Sequence, residues 1–535
     1  MYLAPVLFIF IPILASLVVY LFKNKFATYM LFVSQLALFI IFFLYLRALQ
    51  TSPELSLIVF GGWDERFAIS FFNDRLSLIL IGLTIFIMTM VLLYTFKTNQ
   101  KEINFLFFLM FLQGIFLGLL QTNDLFNLFV FVELMTVIVT ILIAYKKTNH
   151  SFTAAIYYLL LNAVGAIFFL IGIILIYYVY GSINIQYLIQ NMNLHSDENL
   201  IKLAFVLMMS GISIKAAFFP LFTWLPRAHS VAQTSISALL SGLIVKGALY
   251  MFIRIYLEMF SKANYNMSEF FFYLGAITAI LGVVFALSQN NLKQILAYHT
   301  VSQIGIILMG LASASELSYI GGLMHIFNHA FFKSLLFLGV GLVIYGYQTK
   351  KVYAIRGVFK SMPWTSILLI IGMLSITGAP LFNGFISKTL IKYDFKDDFF
   401  KMALFTVVNI GTVTSFIKFS QILYGPKVAV LKQNNLTQLI SMSLLGIGCI
   451  FIGIFYISIG QLVFNTDLSY VKIFDVRQWI EYFTYIFIGM IIYVYVVKKD
   501  FKPFKILREL SVTFENANYM FILYMVFISL LMFFR

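Results

Sequence analysis

The chain has 535 residues, of which 62% are hydrophobic and only 11% charged, with 61 Phe and a formal net charge of +15. A soluble chain this long would form roughly three or four domains of about 150 residues. This composition is far from a soluble globule's, and sixteen membrane helices of about 20 apolar residues would take roughly 320 residues. The single cysteine, Cys449, excludes an intrachain disulfide, an iron–sulfur cluster and a thiolate zinc site. No G-x-x-x-x-G-K-[ST] sequence occurs, so neither electron transfer nor nucleotide hydrolysis is expected in this chain.

Apolar runs fall at 2–22, 27–48, 75–96, 104–122, 125–145, 154–179, 202–220 and 232–257. They continue at 269–288, 298–313, 319–345, 366–396, 400–423, 438–464, 483–498 and 519–534. The first lacks a basic leader and a small-residue cleavage site, so it reads as a retained helix. Lysine and arginine concentrate in the odd-numbered loops: Lys23, Lys25, Lys97, Lys101, Lys146, Lys147, Arg227, Lys293, Lys350, Lys351, Arg356, Lys360, Lys427 and Lys432. Lys498, Lys499, Lys502, Lys505 and Arg508 follow in the fifteenth loop, while the even-numbered loops carry fewer. The positive-inside rule then puts both termini outside. The positive charge is a cytoplasmic coat, not a nucleic-acid surface.

Two five-helix blocks of nearly equal length, 104–257 and 269–424, follow an N-terminal segment 1–103. Five is odd, so the second block enters the membrane from the opposite side, the arithmetic of an inverted repeat. Beyond the first span, two of the nine prolines interrupt apolar runs, Pro220 and Pro380, each in the fourth helix of its block. Broken helices at corresponding places point to an ion path near the midplane. The remainder, 425–535, holds the last helices, a mixed segment at 465–482 and a charged stretch at 499–518. That stretch reads either as an amphipathic surface anchor of about 30 Å or as a plain linker.

Ionisable groups inside a membrane are costly, so each needs an account. Glu133 falls mid-span in the fifth helix, Lys215 in the seventh just before Phe218-Phe219-Pro220, and Lys246 centrally in the eighth. His325, His329 and Lys333 fall in the eleventh, and Lys388 in the twelfth after its break. Lys392, Lys418 and Arg254 lie nearer span ends and read as snorkelling side chains. The i, i+4, i+8 spacing of His325, His329 and Lys333 puts them on one helix face. His-x-x-x-His could hold zinc, but no third ligand is near and a lysine shares the face, so a relay of titratable groups is expected and no metal.

Lysines suit proton transfer if their charge can be switched. Moving a carboxylate from about 4 to about 8 Å at an effective dielectric of about 20 removes about 2 kcal/mol of attraction, a roughly thirtyfold change in proton occupancy. Opening and closing a Glu133–Lys215 pair could therefore load and unload a proton. Sodium fits this row less well, because a hard cation wants oxygen ligands and Glu133 is the one clear mid-membrane carboxylate.

Several motifs carry a family resemblance: Lys215-Ala-Ala-Phe-Phe-Pro220 with Thr223-Trp224-Leu225-Pro226-Arg227-Ala228-His229, Ser237 to Lys246, Leu296 to Gly305, His325 to Lys333, and Gly384-Phe-Ile-Ser-Lys388. Over roughly residues 70–425 the chain resembles the proton-conducting membrane subunits shared by complex I, membrane-bound hydrogenases and Mrp-type sodium/proton antiporters. The resemblance implies an all-α polytopic fold with about fourteen core helices, an inverted repeat of helices 4–8 and 9–13 with helices 7 and 12 broken, and here about two further C-terminal helices. It makes Glu133 and Lys215 the coupling pair, Lys246 the central relay, His325, His329 and Lys333 the bridge, and Lys388 the outlet. Lysine at 388 and Gly61-Gly62-Trp63 ahead of Asp74-Arg75-Leu76-Ser77 resemble the Mrp D-subunit type. Two departures stand out: Val231-Ala-Gln-Thr-Ser235 lacks the family's proline, and the sixth helix offers Asn162 and no acid.

The expected function is proton translocation within a multi-subunit cation/proton (Na+/H+) antiporter or a module derived from one. The alternative is the proton-pumping arm of a redox complex of membrane-bound hydrogenase or NADH:quinone oxidoreductase type, with iron–sulfur or hydrogenase partners in other chains. Either way the chain carries no cofactor and no redox or hydrolytic site. Its expected partners are other membrane subunits and the lipid bilayer of a prokaryotic inner or plasma membrane.

Overall fold

The computed structural model describes residues 2–66, 68–99, 102–192, 198–261, 265–313, 315–431, 435–500 and 502–534, with the side chains of residues 98 and 99 left out. Lys101 and Lys432, two of the topology-setting lysines, lie outside the described residues. Among the described residues, 13 helices are long and apolar enough to cross a membrane. Three shorter helices complete the sixteen spans expected from the sequence.

In chain order the first eight spans are α1 (Ala4–Phe22), α2 (Lys25–Thr51), α3 (Arg75–Asn99), α4 (Ile103–Leu119), α5 (Leu125–Ala144), α6 (Asn149–Tyr180), α7 in two pieces (α7a, Glu198–Lys215; α7b, Trp224–Val231) and α8 (Thr234–Phe260). The others are α9 (Ser268–Ser288), α10 (Leu292–Leu311), α11 (Glu316–Tyr347), α12 in two pieces (α12a, Pro363–Thr377; α12b, Asn383–Tyr393), α13 (Phe399–Ser420), α14 (Leu436–Ile454), α15 (Val476–Val497) and α16 (Phe514–Phe533). A small antiparallel hairpin, β1 (Leu57–Val59) and β2 (Ser70–Phe72), closes the connection between α2 and α3, with Leu57 opposite Phe72.

Backbone groups cannot be left to lipid, and several helix starts are closed by side chains. Asn24 accepts from the Ala27 amide, Asp124 from Asn127 and Asp398 from Lys401, and Thr148 with Ser151 forms a reciprocal cap on α6. The centre of the molecule is α8, buried along its whole apolar window, flanked by the mostly buried α10 and α11. The outer helices α1, α2, α15 and α16 expose most of theirs, with Leu, Ile and Phe facing outward.

The α9–α10 crossing depends on small residues. A Cβ on Gly305 would stand 2.4 Å from the Ala279 amide nitrogen and 2.5 Å from the Gly275 carbonyl. These are backbone atoms that cannot step aside, the close approach that small residues permit between membrane helices. Gly305→Ala should therefore cost about 1–3 kcal/mol of packing. It should lower the thermal midpoint of the purified protein, and an unchanged midpoint would mean that α9 and α10 do not meet at this glycine.

Both expected breaks are present. α7a ends at Lys215 and α12a at Thr377. Past each end a non-glycine residue takes the left-handed conformation, Ala217 (φ 57°) and Leu381 (φ 75°), which L-residues rarely adopt. The break frees the carbonyls of the preceding turn. The loop before α8, where the family's proline is missing, keeps a proline-like path: Ala232 (φ −55°, ψ 156°) and Gln233 (φ −58°, ψ 155°) both lie near polyproline II geometry.

Odd-numbered connections gather at one end. Lys146 and Lys293 both donate to the Ala232 carbonyl (3.2 and 2.8 Å) and Lys350 to that of Ser230 (3.1 Å). Three lysines thus serve the C-terminal end of α7b, where the helix dipole favours cations. Burial, and then the charge of Lys350, pushes the Lys146 ammonium below the usual lysine value. Even-numbered connections meet at the other end, where Ser313 donates to Asp394 and Lys401 pairs with Glu269 at 2.8 Å.

The C-terminal part differs in detail from the sequence reading. α15 begins at Val476, inside the segment read as mixed, because Asp475 caps it by accepting from the Arg477 amide. Between α15 and α16 the charged stretch holds an eight-residue helix, Lys502–Glu509, of about 12 Å rather than 30. It is tied to the end of α9 by Arg508, which donates to the Ser288 carbonyl at 2.7 Å. α16 then packs on α7a, with the Ser213 and Tyr524 hydroxyls 2.8 Å apart.

Candidate functional site

The seven mid-span groups singled out from the sequence fall on five helices around the core. Lys215 closes α7a and donates to Glu133 Oε1 at 3.0 Å and to Thr136 Oγ1 at 3.2 Å, both on α5. The lysine is buried, while the Glu133 side chain is 29% exposed, so the pair sits at the edge of the core with only its carboxylate half open.

Lys246 lies at the centre of α8. Just before it, Leu240–Ile244 winds with wide i→i+5 bonding, a departure from α-geometry that recurs at functional sites. The Ser241 carbonyl there accepts from Lys246 Nζ. The same ammonium lies 2.5 Å from His329 Nδ1 on α11, joining the first helix block to the second. An ammonium donating to Nδ1 leaves the ring proton on Nε2. Gly242 brings the two helices close, since a Cβ there would stand 2.5 Å from Ser334 Oγ.

His325 continues along α11. Its Nε2 is 3.0 Å from Gln303 Oε1 on α10 and its Nδ1 is 2.8 Å from Ser387 Oγ on α12b. Ser387 precedes Lys388, whose Nζ donates at 2.8 Å to the Ile376 carbonyl, one of those freed where α12a ends. The ammonium thus rests on the C-terminal end of a half-helix, where the dipole favours positive charge.

Two sets of neighbours in the row do not hydrogen-bond directly. Lys333 shares the histidine face of α11, but its Nζ donates to the Leu296 carbonyl of α10 at 2.5 Å and not to either histidine. Among the described residues no hydrogen bond joins Lys215 to Lys246. The three side chains read as snorkelling are instead paired. Arg254 is buried and donates to Asp74 (2.8 Å) and Glu258 (2.7 Å). Lys418 donates to the Leu287 and Gln289 carbonyls (2.8 and 2.6 Å), and Lys392 binds both oxygens of Glu481 (2.5 and 2.6 Å). Each has a partner distant in sequence, and Arg254 and Lys418 are buried while Lys392 is partly exposed.

Two further buried histidines lie beside the row. His229 on α7b stacks on Phe337 at 4.6 Å, and His299 on α10 packs against Phe416 at 4.8 Å. Neither ring has a hydrogen-bond partner among the described residues. Both occur inside the motifs Thr223–His229 and Leu296–Gly305, which is the signal that marks them. Thr300, beside His299, also reaches α8, where its hydroxyl is 2.8 Å from that of Ser241.

A helical membrane protein with two broken helices and a buried lysine–histidine row between them is of the ion-translocating subunit class. The family model described as "NADH:quinone oxidoreductase/Mrp antiporter, TM" matches residues 122–418, more than half of the chain, and the chain belongs to this family. A relative named as antiporter subunit mnhD2, from Staphylococcus aureus (strain MRSA252), is 31% identical over 335 residues, covering 62% of this chain and 67% of that one. Among solved structures, a chain of the membrane-bound sulfane sulfur reductase, an archaeal respiratory membrane complex, superposes with TM-score 0.80 at 24% identity, covering 91% of this chain and 100% of its own. A chain of the Mrp complex from Dietzia sp. DQ12-45-1b gives TM-score 0.77 at 21% identity, covering 95% and 100%. Both likenesses speak to the fold.

Proposed function

We propose that this chain is the proton-translocating subunit of a multi-subunit cation/proton antiporter, or of a module derived from one. Protons move along Glu133, Lys215, Lys246, His329, His325 and Lys388, with Lys333 biasing the row from one turn beyond His329. In this reading 104–257 and 269–424 are the two inverted halves, and 1–103 and 425–535 flank them. The lysine-rich end faces the cytoplasm, both termini face outside, and the membrane is the prokaryotic inner or plasma membrane. The chain brings no cofactor of its own.

The observation that carries the reading is how the ammonium groups are held. Lys215, Lys246 and Lys388 sit at a helix end, beside a wide turn, and against a half-helix terminus. A backbone carbonyl holds Lys246 and Lys388, and a lone carboxylate holds Lys215. Carbonyls stabilise the ammonium without neutralising it, so Lys246 and Lys388 stay able to gain or lose a proton, and opening of the carboxylate pair frees Lys215 to do the same.

A second reading is favoured by the fold likeness to a respiratory complex subunit: the chain as the pump arm of a redox enzyme, with iron–sulfur or hydrogenase subunits beside it. Copurification separates the two. Redox subunits in the purified complex select the second reading, and membrane subunits alone select the first. For either, Glu133→Ala, Lys215→Ala and Lys388→Ala in the whole complex should each slow proton movement into vesicles at least tenfold. Normal transport by all three correctly assembled variants would sink the pathway.

A further inference from the structure

The row described so far stops at Lys388. Its surroundings continue onto α15, beyond the segment that the family model matches. Lys392, one helical turn after Lys388 on the same face, is bound by both carboxylate oxygens of Glu481 on α15. Tyr485, one turn along α15, donates its hydroxyl to Glu481. Tyr482 is 2.9 Å from the hydroxyl of Thr377, the last residue of α12a and the neighbour of the carbonyl that holds Lys388. α15 lies close to α13 because Gly489 presents no side chain there: a Cβ would stand 3.2 Å from Thr414 Oγ1 and 3.3 Å from its amide nitrogen.

Between these groups is a cavity of about 40 Å³, lined by Lys388, Glu481, Tyr482, Tyr485, Thr377 and Asn409. It has room for about two or three water molecules, and although much of its wall is apolar, with Phe385 and Phe405, it carries the several polar groups that a buried water needs. Asn409 of α13 is buried, and its Oδ1 has no hydrogen-bond partner among the described residues. A buried carbonyl oxygen without a partner is costly, and a water in this cavity would satisfy it. The cavity touches the buried Lys388 on one side and on the other Glu481, whose side chain is 30% exposed. Lys392 and Glu481 both lie toward the end where the even-numbered connections meet, opposite the lysine-rich loops.

The geometry points to Glu481 as the proton acceptor that follows Lys388, with Lys392 as the ion-pair partner that holds it ionised between transfers. This inference rests on the proton pathway proposed above. The Lys388 ammonium passes its proton through water in the cavity to the Glu481 carboxylate, leaving a neutral amine and a neutral carboxyl. Lys392 is released as its partner loses charge. Glu481 then gives the proton to the outer solvent, recovers its charge and captures Lys392 again. No electrons move, and net charge is conserved in the first step. The outlet therefore has its own ion pair, as the Glu133–Lys215 end does, but its carboxylate comes from a helix outside the repeated core.

The test uses the whole complex in vesicles, with proton movement measured per assembled complex. Glu481→Gln keeps the size of the side chain and an oxygen for Lys392 and Tyr485, but it cannot take a proton. It is expected to slow transport at least tenfold, while Glu481→Asp retains a third or more of the rate. Asn409→Leu, which leaves the ion pair intact and dries the cavity, is expected to slow transport at least threefold and gives a second reading should Glu481→Gln assemble poorly. Glu515→Gln, at an exposed carboxylate on α16, should transport normally. Wild-type rates for Glu481→Gln or for Asn409→Leu would overturn the assignment. So would equal loss in Glu481→Gln and Glu481→Asp, the mark of a purely structural pair. Lys388→Ala distinguishes the levels: if it is inactive while Glu481→Gln is normal, only the outlet assignment fails, and if it transports normally, the pathway itself fails.

Discussion

Lys215→Arg should assemble normally, keep its pair with Glu133 and move almost no protons. Arginine keeps the positive charge and can reach the same carboxylate, so the contact between α5 and α7a survives. What it loses is the ability to release a proton, because a guanidinium stays protonated in proteins. Opening the pair from the observed 3.0 Å to about 8 Å would remove more than about 2 kcal/mol of attraction at an effective dielectric of about 20, a change of thirtyfold or more in lysine occupancy. The same motion leaves arginine charged throughout, so the expected loss of transport is at least about thirtyfold. Glu133→Gln acts on the other half. It retains an oxygen for Lys215 but removes the charge that opening and closing would modulate, and it should cost about tenfold or more at unchanged assembly. Proton uptake by vesicles, normalised to assembled complex, reads both variants. Wild-type transport by Lys215→Arg would show that this lysine only holds the helices together.

The spans, the broken helices and the seven mid-span groups were legible in the sequence because each rests on a local signal. A run of apolar residues is long enough to cross lipid or it is not, and Pro220 and Pro380 interrupt such runs wherever the neighbours lie. A lysine in mid-run is conspicuous without any structure. Partner choice is not local. Lys333 shares a helix face with two histidines, yet the nearest acceptor is the Leu296 carbonyl of another helix, which no spacing on α11 could reveal. Arg254 reads as snorkelling until α3 brings Asp74 beside it. Glu481 was hidden because Asp475, Arg477, Gln478 and Glu481 make the first turns of α15 polar, so the helix start resembled a loop. The path of the loop before α8, where the family's proline is missing, is likewise not local: Ala232 and Gln233 adopt the backbone a proline would impose, and the Ala232 and Ser230 carbonyls are held by Lys146, Lys293 and Lys350 from elsewhere in the chain.

Lys246→Met should change stability and transport in opposite directions. Lys246 is fully buried, and among the described residues its ammonium hydrogen-bonds the Ser241 carbonyl and His329. Among the described residues no carboxylate pairs with it to offset the cost of taking that charge out of water, which is several kcal/mol after relaxation. Methionine has nearly the same length, no charge to desolvate and enough flexibility to fill the slot beside the wide turn of α8. The variant should therefore assemble at least as well as the natural protein and unfold at the same temperature or a higher one. Transport depends on the group that is lost. Lys246 reaches from the first helix block to His329 in the second, and without it a proton arriving from Lys215 loses the ammonium that contacts that ring. A missing proton carrier costs about a hundredfold, and that is the expected loss in vesicles. His329→Phe should fall by a similar factor, because Lys246 would then face a ring that accepts no proton. Transport at the natural rate in Lys246→Met would mean that protons cross between the two halves by another route. A lower melting temperature accompanying the loss would assign Lys246 a structural role instead.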